Sequence, residues 1–489
     1  MNKLAVTAML VVGLAACSGG DETPSAPAQT AAPVQTIESA SEIAATKTSA
    51  AERLPVAVPA PASNARDPGP RSTTAGAGAP LGGLTALELA AFEIGKEDFL
   101  EAEATEDGLG PTMNLDSCGG CHQQPSLGGS SPAVNPQVAF AAKLSATNVV
   151  PSFINLNGPI REARFVRNRD GSADGGVHAL FSIAGRTDAA GCAMAQPDFA
   201  AALARRNVVF RIPTPVFGAG LIEHIPDSEI LANLNSQSSA KRVLGIRGRG
   251  NVTLPSQTIT AQPNKNGNDG TLGRFGWKAQ NKSLLVFSGE AYNVEMGITN
   301  ELFPTERDET EACQYAEQPN SVGDLAAASP VEALSSIEKF SVFMRFLAPP
   351  LASTDTPGGK VSVSAGRALF ESTGCALCHT PSMRTGNARV PALRKQTVNL
   401  YSDQLLHDMG TGLADGVAQG QASGREFRTA PLWGLGQRLY FLHDGRSADL
   451  RQTLLAHQSE GSEANAVVTR FTRLPEREQQ DLLNFLRSL

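Results

Sequence analysis

The sequence has few aromatic residues, no excess of positive charge and no hydrophobic run long enough to span a membrane. Aromatic residues make up 5% of 489 residues, with two tryptophans and four tyrosines. The formal net charge of −7 argues against a nucleic-acid-binding protein and suits a soluble acidic one. Hydrophobic residues still reach 41%, enough for a sizeable core, and the length predicts at least two domains. The 47 glycines and 31 prolines predict long irregular loops.

The N-terminus has the pattern of an export signal. Lys3 precedes an apolar run at residues 4–14, which is too short for a membrane span. Residues 14–17 read Leu-Ala-Ala-Cys and resemble a bacterial lipobox, so we expect Cys17 to be lipidated and to anchor the protein at a membrane. This places the protein in the envelope of a Gram-negative bacterium, facing the periplasm, and Ser18 favours the outer membrane. The alternative is an ordinary secretory signal with an incidental cysteine.

Composition divides the chain into four regions. After the signal segment at residues 1–17, residues 18–83 have few large apolar side chains and predict a disordered tether. An irregular N-terminal domain is expected over 84–352 and a smaller helical domain over 353–489. The fold class is therefore mainly α with long loops and few short strands. The patterns predict helices near residues 84–99, 330–347, 365–371, 450–457 and 476–489, and strands at 208–212 and 283–287.

Two Cys-x-x-Cys-His motifs carry the clearest chemical signal. The two cysteines of such a motif can form thioethers to the vinyl groups of a haem, and the adjacent histidine can then bind the iron. A redox disulfide or half of a zinc site is the alternative for a single motif, but two motifs in one exported chain favour haem. We therefore predict two cytochrome-c-like haem domains, held by Cys118, Cys121 and His122 and by Cys375, Cys378 and His379.

Two cysteines, Cys192 and Cys313, remain outside the motifs and the lipobox. An exported protein can pair them in a disulfide bond. The alternative is two buried free thiols.

Several further segments resemble the di-haem oxidoreductase family, whose members are described as peroxidase-like or as thiol oxidoreductases. The family is more distantly similar to bacterial di-haem cytochrome c peroxidases and to the di-haem enzyme of methylamine utilisation. The resemblance covers nearly all of the chain from about residue 85, and it does not settle the substrate. The segments that carry it are residues 108–111 with 117–122, 213–223, 273–279, 406–410 and 441–446.

The resemblance implies unequal haem ligands. In the peroxidases the sixth ligand of the C-terminal haem lies fourteen positions after the histidine of a His-Asp-Gly sequence, and the same count from His443 reaches His457. We expect His379 and His457 to bind haem 2, with Met409 as the rival ligand and His407 behind it. Haem 1 has no evident sixth ligand, and we expect it to be open. Its other candidates are His178, His224 and Met113, for each of which a structural role is the simpler reading.

The same resemblance implies catalytic groups. Peroxide cleavage needs a group that moves a proton, and Glu295 follows Trp277 in the order seen in the peroxidases. Glu223 is the second choice. Trp277 could lie between the haems, or it could be a core aromatic residue. Arg211, Arg274 and Arg446 could pair with haem propionates.

The expected activity follows from these assignments. Electrons would enter at haem 2 from a small cytochrome or copper protein, and a small oxidant such as peroxide would be reduced at haem 1. The alternatives are a pure electron-transfer cytochrome and a di-haem oxygenase or protein-modifying enzyme. The resemblance also leaves open a Ca²⁺ ion between the domains.

Overall fold

The computed structural model describes residues 63–143, 146–253, 258–259, 262–263, 271–306, 308 and 310–489. The signal segment, Cys17 and the tether up to residue 62 lie outside the described residues. The described part belongs to one compact unit and is mainly helical. None of its helices combines the length and apolarity needed to cross a bilayer. The helices are α1 (Ala86–Leu100), α2 (Cys118–Cys121), α3 (Pro136–Ala142), α4 (Phe199–Ala204), α5 (Ala219–Glu223), α6 (Asp227–Asn235), α7 (Ser238–Leu244), α8 (Leu284–Met296), α9 (Ser336–Phe346), α10 (Gly359–Thr373), α11 (Gly410–Leu413), α12 (Leu450–Ala456), α13 (Asn465–Arg473) and α14 (Glu476–Arg487).

The strands are short and form small separate antiparallel sheets. The largest in the described part has the order β3-β2-β5, and the pairs are β1 with β4, β6 with β9, β7 with β8, β10 with β11 and β12 with β13. The strands are β1 (Thr112–Met113), β2 (Glu162–Phe165), β3 (Val177–His178), β4 (Phe181–Ser182), β5 (Val208–Arg211), β6 (Val252–Thr253), β7 (Thr258–Ile259), β8 (Gln262–Pro263), β9 (Thr271–Leu272), β10 (Met383–Arg384), β11 (Thr397–Val398), β12 (Leu406–Asp408) and β13 (Glu426–Arg428).

Helices α1, α8 and α9 form the centre of the N-terminal core. A capping box between Thr85 and Glu88 starts α1, because each side chain binds the backbone N–H of the other residue. Phe92 and Phe99 are buried against α9. The two helices approach closely at Gly95, where a Cβ atom would lie 2.4 Å from the carbonyl oxygen of Lys339. This packing sets the distance between α1 and α9.

Helices α10 and α14 form the centre of the C-terminal core. A Cβ atom at Gly366 of α10 would lie 1.9 Å from the carbonyl oxygen of Asp481, so only glycine fits this crossing. Leu482, Leu483 and Phe485 of α14 are buried as their helical spacing predicts. The C-terminal region is therefore helical, as the sequence predicts. The proposed domain boundary at 352/353 falls in the loop between α9 and α10 and stays a prediction.

Two expectations about secondary structure are wrong. Residues 283–287 do not form a strand, because Ser283 caps α8 by accepting a hydrogen bond from the Val286 amide, and the apolar run that follows is buried as a helix. The helix predicted from residue 330 begins only at Ser336, where Ser335 and Glu338 form a capping box.

The predicted tether is also too long, since the described residues 63–83 pack on the body. Asp67 accepts hydrogen bonds from the Arg487 side chain at 2.6 and 2.7 Å and from the Leu450 amide at 2.7 Å. Pro80 forms a bridge with Leu347. Specific hydrogen bonds therefore order a segment whose composition indicates disorder.

Cys192 and Cys313 are joined by a disulfide bond across 121 residues of sequence. The bond connects the loop after β4 to the loop after α8 and holds two irregular segments of the N-terminal region together.

Candidate functional site

Each Cys-x-x-Cys-His motif opens onto a cavity of its own. The N-terminal cavity has an empty volume of about 1150 Å³ and the C-terminal cavity about 1400 Å³. The N-terminal cavity is lined among others by Phe99, Cys118, Cys121, His122, Arg161, Glu162, Arg164, Arg211, Trp277, Glu290, Glu295, Met296, Phe340 and Met344. The C-terminal cavity is lined among others by Trp277, Cys375, Cys378, His379, His407, Met409, Phe427, Arg428, Arg438, His443, Thr453, His457 and Glu463.

His122 presents one ring nitrogen to the N-terminal cavity. Its Nδ1 lies 2.9 Å from the carbonyl oxygen of Gly129, and a proton on Nδ1 leaves Nε2 available to a metal. Burial lowers the pKa of His122 to about 4, so the ring is neutral, as a ligand must be. The loop requires glycine at position 129, because a Cβ atom there would lie 1.9 Å from the carbonyl oxygen of Gln124.

Three carboxylates surround one guanidinium group in the N-terminal cavity. Arg164 donates to Glu162 at 2.5 Å, and Asn281 donates to Glu290. Burial, then the charge of Glu162, raises the pKa of Glu295 to about 8. The charge of Glu290 acts in the same direction, and together these effects outweigh the opposing charge of Arg164, so Glu295 is the carboxyl group that keeps a proton near neutral pH.

The C-terminal cavity contains two histidines of the same kind. The Nδ1 atom of His379 lies 3.0 Å from the carbonyl oxygen of Tyr401, and that of His457 lies 2.8 Å from the carbonyl oxygen of Thr453. Burial and then the proximity of His457 lower the pKa of His379 to about 4, and burial also lowers the pKa of His457. Both rings are neutral, and both have Nε2 available in one cavity.

His407 also lines the C-terminal cavity, but both of its ring nitrogens are used. Nδ1 lies 2.8 Å from Glu463 and Nε2 lies 2.9 Å from Asp403. Burial opposes a charge on this ring, but Cys378 and the two carboxylates outweigh burial and hold its pKa well above the usual value. His407 is therefore a charged neighbour and not a ligand. Met409 packs with Phe427 and Trp277 at the same cavity wall.

A metal other than haem iron has one candidate group in the described part of the chain. Cys378, Asp403 and His407 place ligand atoms within 4.8 Å of one another. This mixed sulfur, nitrogen and oxygen set does not suit calcium, which prefers oxygen ligands. The expectation of a Ca²⁺ ion therefore stays a prediction.

Both cavities present guanidinium groups that suit an anionic ligand. In the C-terminal cavity, burial lowers the pKa of Arg428 and Arg438 to about 10, and neither has a carboxylate partner among the ion pairs of the described residues. In the N-terminal cavity, Arg211 pairs with Asp415 at 2.8 Å, but its buried Nε atom has no hydrogen-bond partner. Paired thiols, neutral histidines and unmatched cations fit a haem with its propionates.

Two thiols of the motifs, Cys118 and Cys375, are not activated as nucleophiles. All four cysteines are free, and burial raises the pKa of Cys118 well above its ordinary value and that of Cys375 to about 11. Redox thiols and zinc ligands are stabilised as thiolates, so their pKa is lowered. The surroundings of Cys118 and Cys375 therefore do not favour a redox thiol or a zinc ligand.

Trp277 lines both cavities. Its Nε1 donates to the carbonyl oxygen of Ile212 at 3.0 Å. The neighbouring Lys278 is buried, forms an ion pair with Asp415 at 3.2 Å and lies 3.9 Å from the ring centre of Phe427. Trp277 therefore occupies the wall between the cavities, where the sequence suggested a residue between two haems.

Several candidates from the sequence lie elsewhere. Glu223 lines neither cavity, because it binds Arg345 at 2.8 Å and accepts the Leu284 amide at the start of α8. His178, His224 and Met113 do not line the N-terminal cavity, so the structure does not support them as ligands there. Arg274 pairs with Asp227, and Arg446 pairs with Asp444 at the surface.

Five further residues line the cavities and are absent from the sequence-based predictions: Glu162, Arg164, Glu290, Arg428 and Arg438. Glu162 and Arg164 alternate on β2, so both face the same cavity, and this spacing of two was a usable signal. Glu290, Arg428 and Arg438 had no such signal, because only the packing of distant segments brings them to the cavities.

A mainly helical chain with two such cavities defines a class of di-haem protein, and comparison identifies the family. Residues 163–489 match the family described as "Di-haem oxidoreductase, putative peroxidase", and the chain belongs to this family. The match includes the second Cys-x-x-Cys-His motif. No curated protein matches.

Three solved structures show weaker likeness. A hydrazine synthase of Kuenenia stuttgartiensis is 20% identical, with 33% of this chain and 56% of that chain covered and a TM-score of 0.21. The diheme peroxidase BthA of Burkholderia thailandensis is 14% identical, with 45% and 66% covered and a TM-score of 0.26. A MauG-like protein associated with microbial copper homeostasis is 17% identical, with 57% and 89% covered and a TM-score of 0.26. The chain thus spans less than two thirds of the first two.

Proposed function

We propose that this oxidoreductase is a peroxidase-like enzyme of the cell envelope with two covalently attached haems and different roles for its two cavities. The N-terminal cavity receives a small oxidant, and the C-terminal cavity receives electrons. The observation that carries the proposal is the contrast in side chains. The N-terminal cavity combines one histidine with a carboxyl group of raised pKa, whereas the C-terminal cavity combines the motif histidine His379 with further neutral histidines, His457 and His443.

Both cavities fit a haem. Cys118, Cys121 and His122 would hold one, and Cys375, Cys378 and His379 the other, and the guanidinium groups would pair with the propionates. When bound, the two groups supply one-electron redox chemistry and an iron site for a small oxidant.

Glu295 supplies the proton transfer that peroxide reduction requires. A general base works best when its pKa is close to the operating pH, and its raised value of about 8 meets this condition. The hydrogen-bonded pair of Arg164 and Glu162 lies close enough to influence the pKa of Glu295: the charge of Glu162 raises it and the charge of Arg164 lowers it. The carboxylate form can take a proton from one peroxide oxygen and return it to the other.

His457 gives the C-terminal cavity its electron-handling character. With a haem bound, a second neutral imidazole at His457 would leave no open position for a substrate and would favour a lower potential than methionine does. Met409 is the rival for this position. We propose that a small cytochrome or cupredoxin delivers electrons here and that lipid on Cys17 keeps the protein at the outer membrane.

A second candidate function is electron transfer alone. Met296 and Met344 both line the N-terminal cavity, and a thioether sulfur can fill the sixth position of a haem iron. In that case the N-terminal cavity would bind no oxidant.

A peroxide assay with a reduced small cytochrome as donor tests the proposal. We expect the holoprotein to oxidise the donor in proportion to the peroxide added, and Glu295→Gln to lose this turnover while retaining both haems. Turnover of dioxygen without peroxide would favour an oxygenase, and inert holoprotein would favour electron transfer.

A further inference from the structure

Tyr292 lies directly behind the wall of the N-terminal cavity. It is on α8, nearly one helical turn before Glu295, and its side chain is buried. Its ring meets Phe340 edge-on, with 5.0 Å between the ring centres, and Phe340 itself lines the cavity. An electron has only this short aromatic contact to cross between Tyr292 and the cavity.

The hydroxyl group of Tyr292 donates to the Glu103 carboxylate at 2.6 Å. Among the hydrogen bonds of the described residues, the other tyrosine hydroxyl donors bind backbone carbonyls. Tyr315 donates to Ala190 at 3.0 Å and Tyr440 donates to Asn157 at 3.0 Å. A carboxylate can accept the phenolic proton, whereas a backbone carbonyl cannot hold it, so Tyr292 is the tyrosine that can lose an electron and a proton together.

Glu103 is well suited as the proton acceptor. Burial, opposed by the Tyr292 hydrogen bond and assisted by the acidic neighbours Glu101, Asp107 and Asp98, raises the pKa of Glu103 to about 7. A carboxylate with a raised pKa binds a proton more tightly than an exposed one. Glu103 is only partly buried, so its proton can later exchange with solvent.

Trp277 is less suited to the same role despite its central place. Its Nε1–H points at the Ile212 carbonyl, so oxidation would leave a cation radical. The buried cation of Lys278 on the next residue, and Arg211 at the same cavity wall, disfavour a further positive charge. The surroundings therefore direct oxidation away from Trp277.

We propose that Tyr292 is a redox-active tyrosine that gives one electron to the N-terminal cavity while its proton passes to Glu103. The inference rests on the proposed function, with hydrogen peroxide as the oxidant. Reduction of hydrogen peroxide to two waters takes up two electrons and two protons, and the two protons come from solvent, outside this pair. Tyr292 supplies one electron and the C-terminal cavity the other. The O–H bond of Tyr292 breaks, its proton forms a bond to Glu103, and a phenoxyl radical remains until a reductant such as ascorbate restores the phenol.

The test uses the holoprotein, mixed with hydrogen peroxide and frozen within milliseconds. Electron paramagnetic resonance should detect a phenoxyl radical, and a nitroxide trap followed by peptide mass spectrometry should place it on Tyr292. In Tyr292→Phe we expect the signal to fall at least tenfold. Tyr440→Phe, a tyrosine bound to a backbone carbonyl, is the matched control and should keep it. Glu103→Gln keeps a hydrogen-bond acceptor, but an amide oxygen takes up no proton. This variant should therefore lose the phenoxyl signal, as Tyr292→Phe does.

An unchanged radical in Tyr292→Phe, or a trapped label on Trp277 instead, overturns the inference while peroxide consumption still supports the proposed function. Absence of peroxide consumption in the parent protein contradicts both. Circular dichroism and haem absorption establish that each variant is folded and loaded. If Tyr292→Phe does not fold, the trapped label in the parent protein and the signal of Glu103→Gln decide the question.

Discussion

The two cavities start from the same Cys-x-x-Cys-His motif and differ in almost everything that surrounds it. The N-terminal cavity contains one histidine, three carboxyl groups and two methionines. The C-terminal cavity contains His379, His457 and a mainly apolar wall, with its carboxylate neutralised by His407. Trp277 belongs to both.

This difference shows that the residues suited to attach a cofactor are distinct from the residues suited to control its reactivity. The motif residues are equivalent in both halves, including the hydrogen bond from each histidine Nδ1 to a backbone carbonyl. What distinguishes the halves is which side chain opposes that histidine and whether a group that transfers protons lies nearby. A protein can in this way use one attachment motif for two tasks.

Removal of His457 should have the largest effect, because it removes the main difference between the cavities. We expect His457→Ala to lose the low-spin absorption and resonance signals of the C-terminal haem completely. Met409→Leu is the matched control and should keep those signals. Loss of the low-spin state in Met409→Leu with none in His457→Ala would reverse the ligand assignment.

Removal of the Glu295 carboxylate should lower peroxide turnover by about 100-fold or more, since general acid–base groups contribute about 10²–10⁴-fold. Glu295→Gln keeps the shape of the side chain and should leave both haem spectra unchanged. Glu223→Gln is the control, because Glu223 lies at the start of α8 outside both cavities. Equal losses in the two variants would show that the cavity position of Glu295 is irrelevant.

The N-terminal strap, residues 63–83, should stabilise the C-terminal half selectively. Asp67→Ala leaves the buried guanidinium of Arg487 unpaired, which should lower the free energy of unfolding by about 3 kcal/mol. Asp355→Ala breaks the more exposed pair with Arg71 and should cost less than about 1 kcal/mol. Denaturant unfolding, followed at the absorption band of the C-terminal haem, measures the free energy of unfolding of both variants. If the two variants lose similar amounts of this free energy, the structural role of Asp67 is contradicted.

The pH dependence should be the smallest effect. A base must be ionised, and a pKa of about 8 means that the ionised fraction of Glu295 rises about tenfold between pH 7 and pH 9. Peroxide turnover at low peroxide should rise with pH over this range. The rise should be absent in Glu295→Gln, and a rise that persists in this variant would assign it to another group.

Local sequence accounts for one part of this site and tertiary packing for the rest. The two motifs and the helices α1 and α14 follow from short sequence patterns, whereas the assignment of His457 follows from the resemblance to the peroxidases. Glu223 and Glu295 look alike in sequence, and only the packing of α5 and α8 sends one to Arg345 and the other to the cavity. The order of residues 63–83 depends likewise on a partner, Arg487, at the far end of the chain.

Low-temperature electron paramagnetic resonance of the fully oxidised holoprotein, with and without peroxide, tests the central claim most directly. We expect one high-spin signal that responds to peroxide and one low-spin signal that does not, in equal amounts. Two low-spin signals that are both insensitive to peroxide would contradict it and make the protein an electron-transfer cytochrome.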